Sequence, residues 1–176
     1  GLPDGDKGRI GVDVFRQNGN IVYALIEADP RSATQGFGGG GGDSRSGIFR
    51  SMDRGTTWEK MSDTNPRPMY YSQVRIDPSN ADKVYVLATN LMVSEDGGRT
   101  FRGDGATQIH LDHHDLWVNP NDPDHLILGS DGGVAASWDG TAHWRMFDNI
   151  ALGQFYTISH DMRDPYYVCG GLQDNN

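Results

Sequence analysis

The chain has one cysteine in 176 residues, so no internal disulfide can staple it. It has no apolar run of 18 residues, so no helix in it would span a membrane, and no stretch keeps a sustained helical period. A basic excess is missing too: 15 Lys and Arg stand against 24 Asp and Glu, a net charge of −9 with pI near 4.9. That balance argues against a nucleic-acid partner, because nothing gathers the cations that would replace phosphate counterions. Cys169 lies in the apolar run Tyr166-Tyr167-Val168-Cys169 and is expected to be a small buried hydrophobe. The length allows one domain with a sizeable core.

Glycine, by contrast, is plentiful at 24 residues, as tight turns between short strands require. The strongest pattern is Ser51-Met52-Asp53-Arg54-Gly55-Thr56-Thr57-Trp58, which reads Ser-x-Asp-x-Gly-x-Thr-Trp. It returns as Ser94-Glu95-Asp96-Gly97-Gly98-Arg99-Thr100-Phe101, and again at Ser137-Trp138-Asp139-Gly140-Thr141-Ala142-His143-Trp144, where Thr141 replaces the glycine. The period is 43 residues both times, the length of a four-stranded propeller blade. A short carboxylate at Asp53, Asp96 or Asp139 can accept bonds from N–H groups just ahead and hold a turn shut. Gly55 and Gly98 supply positive φ. The closing aromatic opens the next strand beside a neighbouring sheet. These acids therefore read as structural.

Strand signals repeat around the octapeptides. Ile10 to Val14 alternates, and Ile21 to Ile26 is a continuous apolar run buried on both faces. Gly47 to Arg50 and Trp58 to Met61 flank the first octapeptide. The same order follows from Tyr71 and from Asp115, and a fourth round opens at Phe155 and stops at Asn176. The units run at about 8–69, 70–111, 112–153 and 154–176, within a single 1–176 segment. Residues 33–46, with five consecutive glycines, form an inserted loop; no Gly-Lys-Ser/Thr is present, so this is no phosphate loop. The expected fold is all-β: a β-propeller of four-stranded antiparallel blades, about three and a half blades of a larger propeller. The open strand edges at both ends require cover from the rest of the propeller or from partner chains.

Parity locates a candidate site. In an antiparallel meander the octapeptides and the turns at Asp77 and Asn119 share one face. The starts of first strands and ends of second strands share the other, at one mouth of the axis. Aligning the turns puts Arg9, Tyr71, His113 and Phe155 at one level, and Gly8, Tyr70, Asp112 and Gln154 one step earlier. Glu27, Thr89, Asp131 and Gln173 align at the second-strand ends. Aromatics and carboxylates crowded at a mouth suit a sugar or a peptide. His110-Leu111-Asp112-His113-His114-Asp115 holds three His and two Asp, a zinc-like density. Alternate strand residues face opposite ways, so a polar network is expected instead, with His114 or Asp115 turned partly into packing. Asp131-Gly132-Gly133 places a carboxylate on a tight turn, and Gln173-Asp174-Asn175-Asn176 is the equivalent loop one unit on. No run has the spacing of a calcium loop, although Ca²⁺ would suit the Asp-rich loops; no cofactor is expected.

The octapeptide resembles the Asp-box, or BNR repeat, of sialidases, sortilin-type receptors and xyloglucanase-type glycosidases. There it is a folding device on a hairpin, away from the active site. Gly8-Arg9-Ile10-Gly11, Asp112-His113-His114-Asp115-Leu116-Trp117, Gly129-Ser130-Asp131-Gly132-Gly133 and Gly171-Leu172-Gln173-Asp174-Asn175 extend the likeness to large bacterial sortilin-like and glycosyl-hydrolase-like proteins. This resemblance implies a longer exported protein, extracellular or periplasmic, with more blades; Gly1 as first residue fits a signal already removed. Two functions follow. One is binding of a polymeric glycan or peptide at the mouth through Arg9, Tyr70, Tyr71, His113, His114, Gln154, Phe155, Gln173 and Asp174. The other is part of a glycoside hydrolase, with Asp112, Asp131 and Glu27 as the available acids. Hydrolysis needs carboxyls about 5–5.5 Å apart for retention or about 6.5–9.5 Å for inversion. The sialidase variant requires three arginines, and only Arg9 lies at this mouth. In the xyloglucanase variant the two acids come from different propeller domains, so this segment would hold one at most.

Overall fold

The computed structural model describes residues 1–28, 45–150, 153 and 155–172, the backbone alone at 155–157. Thirteen strands and no helix lie among them. The first sheet is β1 (Lys7–Val14), β2 (Val22–Ala28), β3 (Gly47–Ser51) and β4 (Glu59–Ser62), in that spatial order and antiparallel throughout. The second is β5 (Gln73–Ile76), β6 (Val84–Leu87) and β7 (Met92–Ser94). Its expected fourth strand shrinks to one bridge, Val93 with Arg102. The third is β8 (His113–Val118), β9 (Leu126–Ser130), β10 (Gly133–Ser137) and β11 (Arg145–Met146). A hairpin of β12 (Phe155–His160) and β13 (Val168–Leu172) follows. Most of the glycine-rich insertion lies outside the described residues.

The three octapeptides fold as one device. The serine hydroxyl donates to the aspartate Oδ1, at 2.8, 2.8 and 3.0 Å in chain order. The same Oγ accepts the N–H of the fifth residue: Gly55 at 2.7 Å, Gly98 at 2.9 Å and Thr141 at 3.2 Å. The aspartate Oδ1 accepts the N–H of the seventh residue, and its Oδ2 takes that residue's side chain: Thr57 Oγ1 at 2.6 Å, Thr100 Oγ1 at 2.6 Å, His143 Nδ1 at 2.7 Å. These bonds favour the charged carboxylate. The Thr100 hydroxyl, foremost, holds Asp96 down at about 2, and Asp53 and Asp139 are lowered in the same way by Thr57 and His143.

Each device is tied to the first turn of its own sheet. The N–H of the fourth residue donates to that turn: Arg54 to Asn20 O at 3.0 Å, Gly97 to Asp82 O at 2.7 Å, Gly140 to Asp124 O at 3.0 Å. The turns themselves repeat one closing bond, from Phe15, Asp77, Asn119 and Asp161 N–H to the carbonyl six residues on. Octapeptides and first turns therefore share a face, as parity requires.

Apolar residues on alternating strand positions glue sheet to sheet. Phe15, Tyr23, Leu25 and Ile48 of the first sheet meet Val74, Ile76, Val84 and Val86 of the second, with Phe101 against them. Tyr85, Leu87 and Val93 then meet Leu116, Val118, Leu126 and Leu128 of the third, with Trp144 alongside. Each such side chain, fully buried, contributes about 1.5–3 kcal/mol. The closing aromatics of the second and third octapeptides thus sit in the layers between sheets. β2 is buried along its whole length. Cys169, expected to be buried, is exposed. The reason is its place on the two-stranded hairpin, where both β13 and the facing side of Ile158 are open to solvent.

The fifth octapeptide position has φ of +87° at Gly55, +86° at Gly98 and +87° at Thr141. A Cβ on Gly98 would lie 2.9 Å from Ile48 Cγ2. Gly98→Ala is therefore expected to destabilise by about 1–3 kcal/mol. Thr141→Gly relieves the same backbone strain but loses the bond that its Oγ1 accepts from Arg102 Nη2 at 3.0 Å, so it is expected to shift stability by no more than about 1 kcal/mol. Denaturant unfolding monitored by tryptophan fluorescence checks both; a Gly98→Ala variant as stable as the parent would refute the strain.

Candidate functional site at the mouth

The first strands of neighbouring sheets, β1 with β5 and β5 with β8, lie side by side and define a common inner edge. At the end away from the octapeptides, this edge carries a β-bulge between Lys7 and Ile10 and between His113 and Asp115, and the β12–β13 hairpin has one between Phe155 and Thr157. A bulge re-aims the residues beside it. In β8 it turns His113 inward with Leu116, fully buried, and leaves His114 and Asp115 exposed. Alternation alone had turned His114 or Asp115 into packing; the extra residue reverses that phase.

Arg9, Tyr70, Tyr71, Asp112, His114 and Asp131 come together. The Arg9 guanidinium donates to the Tyr70 carbonyl. Tyr70 and Tyr71 meet edge to face with centroids 4.8 Å apart, and the His114 ring lies 5.9 and 5.6 Å from them. The Tyr71 hydroxyl donates to Asp112 Oδ1. Burial, then that bond, pushes the Tyr71 pKa up. His114 Nε2 and Asp131 Oδ1 are 2.7 Å apart. The backbone knits the same residues: Asp112 N–H donates to Thr89 O at 3.0 Å and Asp131 N–H to Asp112 O at 3.1 Å. Tyr70 remains 45% exposed, while Tyr71 is 2% exposed.

Glu27 is 3% exposed, and its Oε2 accepts the Arg9 N–H at 2.9 Å. Gly8 allows this approach, since a Cβ there would come within 2.1 Å of that oxygen. Gln154, Gln173 and Asp174 lie outside the described residues, as does the Phe155 side chain. No three His, Cys, Asp or Glu side chains converge as metal ligands among the described residues.

One member was missed. Arg67 stacks its guanidinium over Tyr70 at 5.0 Å and Tyr71 at 5.4 Å, with Nη1 3.9 Å from Asp112 Oδ1. It belongs to the β4–β5 crossover, where its carbonyl accepts Tyr70 N–H at 2.9 Å. The parity that selected the mouth also puts fourth-to-first crossovers there, so an arginine between two prolines just ahead of two tyrosines was a readable signal.

His113 has both ring nitrogens unpartnered. Burial, the foremost cause, lowers its pKa to about 4. The unfolded chain binds that proton near pH 6.5 while the folded chain refuses it until about 4. The neutral ring's contribution is thus complete above about pH 6.5 and is lost as pH falls toward 4, up to about 3 kcal/mol in all. His113→Leu is expected to flatten stability between pH 7 and 4, checked by urea unfolding across that range. A loss of stability as steep as the parent's would refute this assignment.

No protein-family model matches the chain. It is 26% identical over 123 residues to the VPS10 domain-containing receptor SorCS3 of Homo sapiens, a match covering 66% of this chain and 10% of the receptor. Among solved structures it resembles a GH74 enzyme of Niastella koreensis (TM-score 0.58, 15% identity, 79% of this chain, 22% of that one). It also resembles the GH74 xyloglucanase of Xanthomonas campestris (TM-score 0.57, 11% identity, 85% of this chain, 24% of that one). A third likeness is to YCF48 from Cyanidioschyzon merolae (TM-score 0.50, 16% identity, 79% of this chain, 36% of that one). The chain thus spans a tenth of the curated relative and a quarter or less of the two GH74 structures. Sheet order and these likenesses together make it a run of β-propeller blades, three sheets and the opening hairpin of a fourth.

Proposed function

We propose that the chain is part of an exported Asp-box β-propeller protein, extracellular or periplasmic, that binds a polymeric ligand, glycan or peptide, at the mouth. The observation that carries this is Tyr70, a 45% exposed ring with an arginine stacked on it and a histidine at its edge. The three side chains come from two separate segments and meet on the face the turn devices leave unused. A fixed aromatic with planar hydrogen-bonding neighbours is the usual anchor of a binding surface. The Ser–Asp clamps support the Asp-box reading, and the similarity to a VPS10-domain receptor supports binding. No cofactor enters this function.

The second reading, part of a glycoside hydrolase, draws on the likeness to two GH74 folds, which at these identities extends to fold alone. Against it stands the condition of the acids. Glu27 is buried on the Arg9 N–H, Asp112 accepts the Tyr71 hydroxyl, and Asp131 is held by His114.

Binding of a panel of polysaccharides and unstructured peptides by biolayer interferometry tests the choice. Tyr70→Ala and Arg67→Ala are each expected to weaken the interaction at least tenfold, about 1.4 kcal/mol, with melting temperature little changed. Binding that ignores both substitutions would sink the mouth. Release of reducing ends by the chain, lost in Asp112→Ala or Asp131→Ala, would favour the hydrolase.

A further inference from the structure

The first turns of the sheets repeat one set of bonds on different sequences. Asn18 N–H donates to Phe15 O at 3.1 Å, the Asn18 carbonyl accepts Ile21 N–H at 3.0 Å, and its side-chain Oδ1 accepts Asn20 N–H at 3.1 Å. Asn80 holds the same place in the second sheet. It donates to Asp77 O at 3.3 Å and accepts Lys83 N–H at 3.1 Å and Asp82 N–H at 3.0 Å. The residue that follows differs: Gly19 in the first turn, Ala81 in the second. No conformational demand explains that glycine. Its φ lies outside the left-handed region, it is exposed, and a Cβ on it would meet nothing within 4 Å.

The glycine matters chemically. The bond from Asn20 N–H folds the Asn18 side chain back over the Asn18–Gly19 peptide and brings Cγ toward the Gly19 nitrogen. The same bond draws charge onto Oδ1, where charge develops if that nitrogen attacks. The Gly19 N–H makes no hydrogen bond among the described residues, and no Cβ shields it. Ala81 sets a methyl group beside the equivalent nitrogen. Asn65 and Asn119 precede Pro66 and Pro120, which have no N–H to give up.

From this arrangement we infer that Asn18 is a site of spontaneous deamidation and isoaspartate formation, and that the isoaspartyl form unfastens the first octapeptide from its sheet. The Gly19 nitrogen bonds to Asn18 Cγ and gives its proton to solvent, and the side-chain nitrogen leaves as ammonia. The succinimide so formed takes up one water. Opening at the Cγ carbonyl gives aspartate; opening at the α-carbonyl gives isoaspartate, with the chain rerouted through Cβ. Amide and water become acid and ammonia, with no oxidant, and one negative charge is added to the chain's −9.

Aspartate fits this place. Asp122 holds it in the third sheet with the same backbone bonds, to Asn119 O at 3.2 Å and from His125 N–H at 2.9 Å. Isoaspartate does not fit. It adds a backbone atom inside the turn closed by Phe15 N–H and Ile21 O at 3.0 Å, and it makes the carbonyl that Ile21 uses part of a free carboxylate. Asn20 shifts with it. Asn20 is where the octapeptide is tied, since its O accepts Arg54 N–H at 3.0 Å and its Oδ1 accepts Arg54 Nε at 2.8 Å. The ties of the second and third octapeptides, at Asp82 and Asp124, are untouched. This site does not rest on the mouth reading.

The test ages the 176-residue chain in warm, mildly alkaline buffer. Peptide mapping by mass spectrometry follows Asn18, with Asn80 as the internal reference. Methyl transfer by an isoaspartate-specific carboxyl methyltransferase counts the isoaspartate, and hydrogen exchange reads the Arg54 and Gly97 amides. Asn18 is expected to convert at least tenfold faster than Asn80. The aged chain is expected to exchange the Arg54 amide at least tenfold faster than the fresh chain, with Gly97 unchanged. Gly19→Ala is expected to abolish methyl acceptance and to keep the parent's melting temperature, because its Cβ has free space. Asn18→Asp, measured fresh, is expected to protect Arg54 as the parent does. Equal rates at Asn18 and Asn80, or a Gly19→Ala chain that converts as fast as the parent, would overturn the site. Conversion that leaves Arg54 protected, or an Asn18→Asp chain that exchanges Arg54 as fast as the aged one, would overturn the unfastening by isoaspartate.

Discussion

A serine hydroxyl shared between an aspartate and two backbone N–H groups organises this protein. The clamp closes the hairpin between the third and fourth strands of each sheet, and one further N–H from it reaches the first turn of the same sheet. A four-stranded sheet is thereby pinned at two of its three connections by bonds that involve no apolar packing. That matters because each sheet is small and leans on its neighbours for its core. With the corner rigid, the alternating apolar faces meet their partners in register: Tyr23 and Leu25 against the second sheet, Tyr85 and Leu87 against the third.

The clamp tolerates variation where its chemistry allows. A histidine replaces threonine at the seventh position of the third copy because its Nδ1 reaches the same Oδ2. Threonine replaces glycine at the fifth, and the backbone keeps the same positive φ. The fourth strand of the second sheet is almost absent, yet its octapeptide is intact. The turn is therefore made by its own local bonds and not by the strands it joins.

The scaffold spends one face on these devices and leaves the other to the crossovers and strand starts. There, bulges in the first strands decide which side chains enter the core and which face solvent. His113 goes inward at the cost of two unpartnered nitrogens, while His114, Tyr70 and Arg67 form a connected polar and aromatic surface. The candidate acids of the mouth are consumed in holding this surface together.

The sequence by itself determined the repeat, the class of fold and the face that carries the mouth, because each rests on local chemistry or on parity. The octapeptide bonds are made within eight residues, and a meander can alternate in only one way. It did not determine which residues of a first strand face outward. A bulge of one residue inverts the alternation, as at His113 and His114, and its position depends on pairing with a strand a dozen or more residues away. Nor did it determine that Cys169 lies exposed, since burial is a property of the neighbouring sheet and not of the strand. Arg67 belongs to the same class: its partner Asp112 stands just ahead of the next sheet, and the two meet only when the sheets pack edge beside edge.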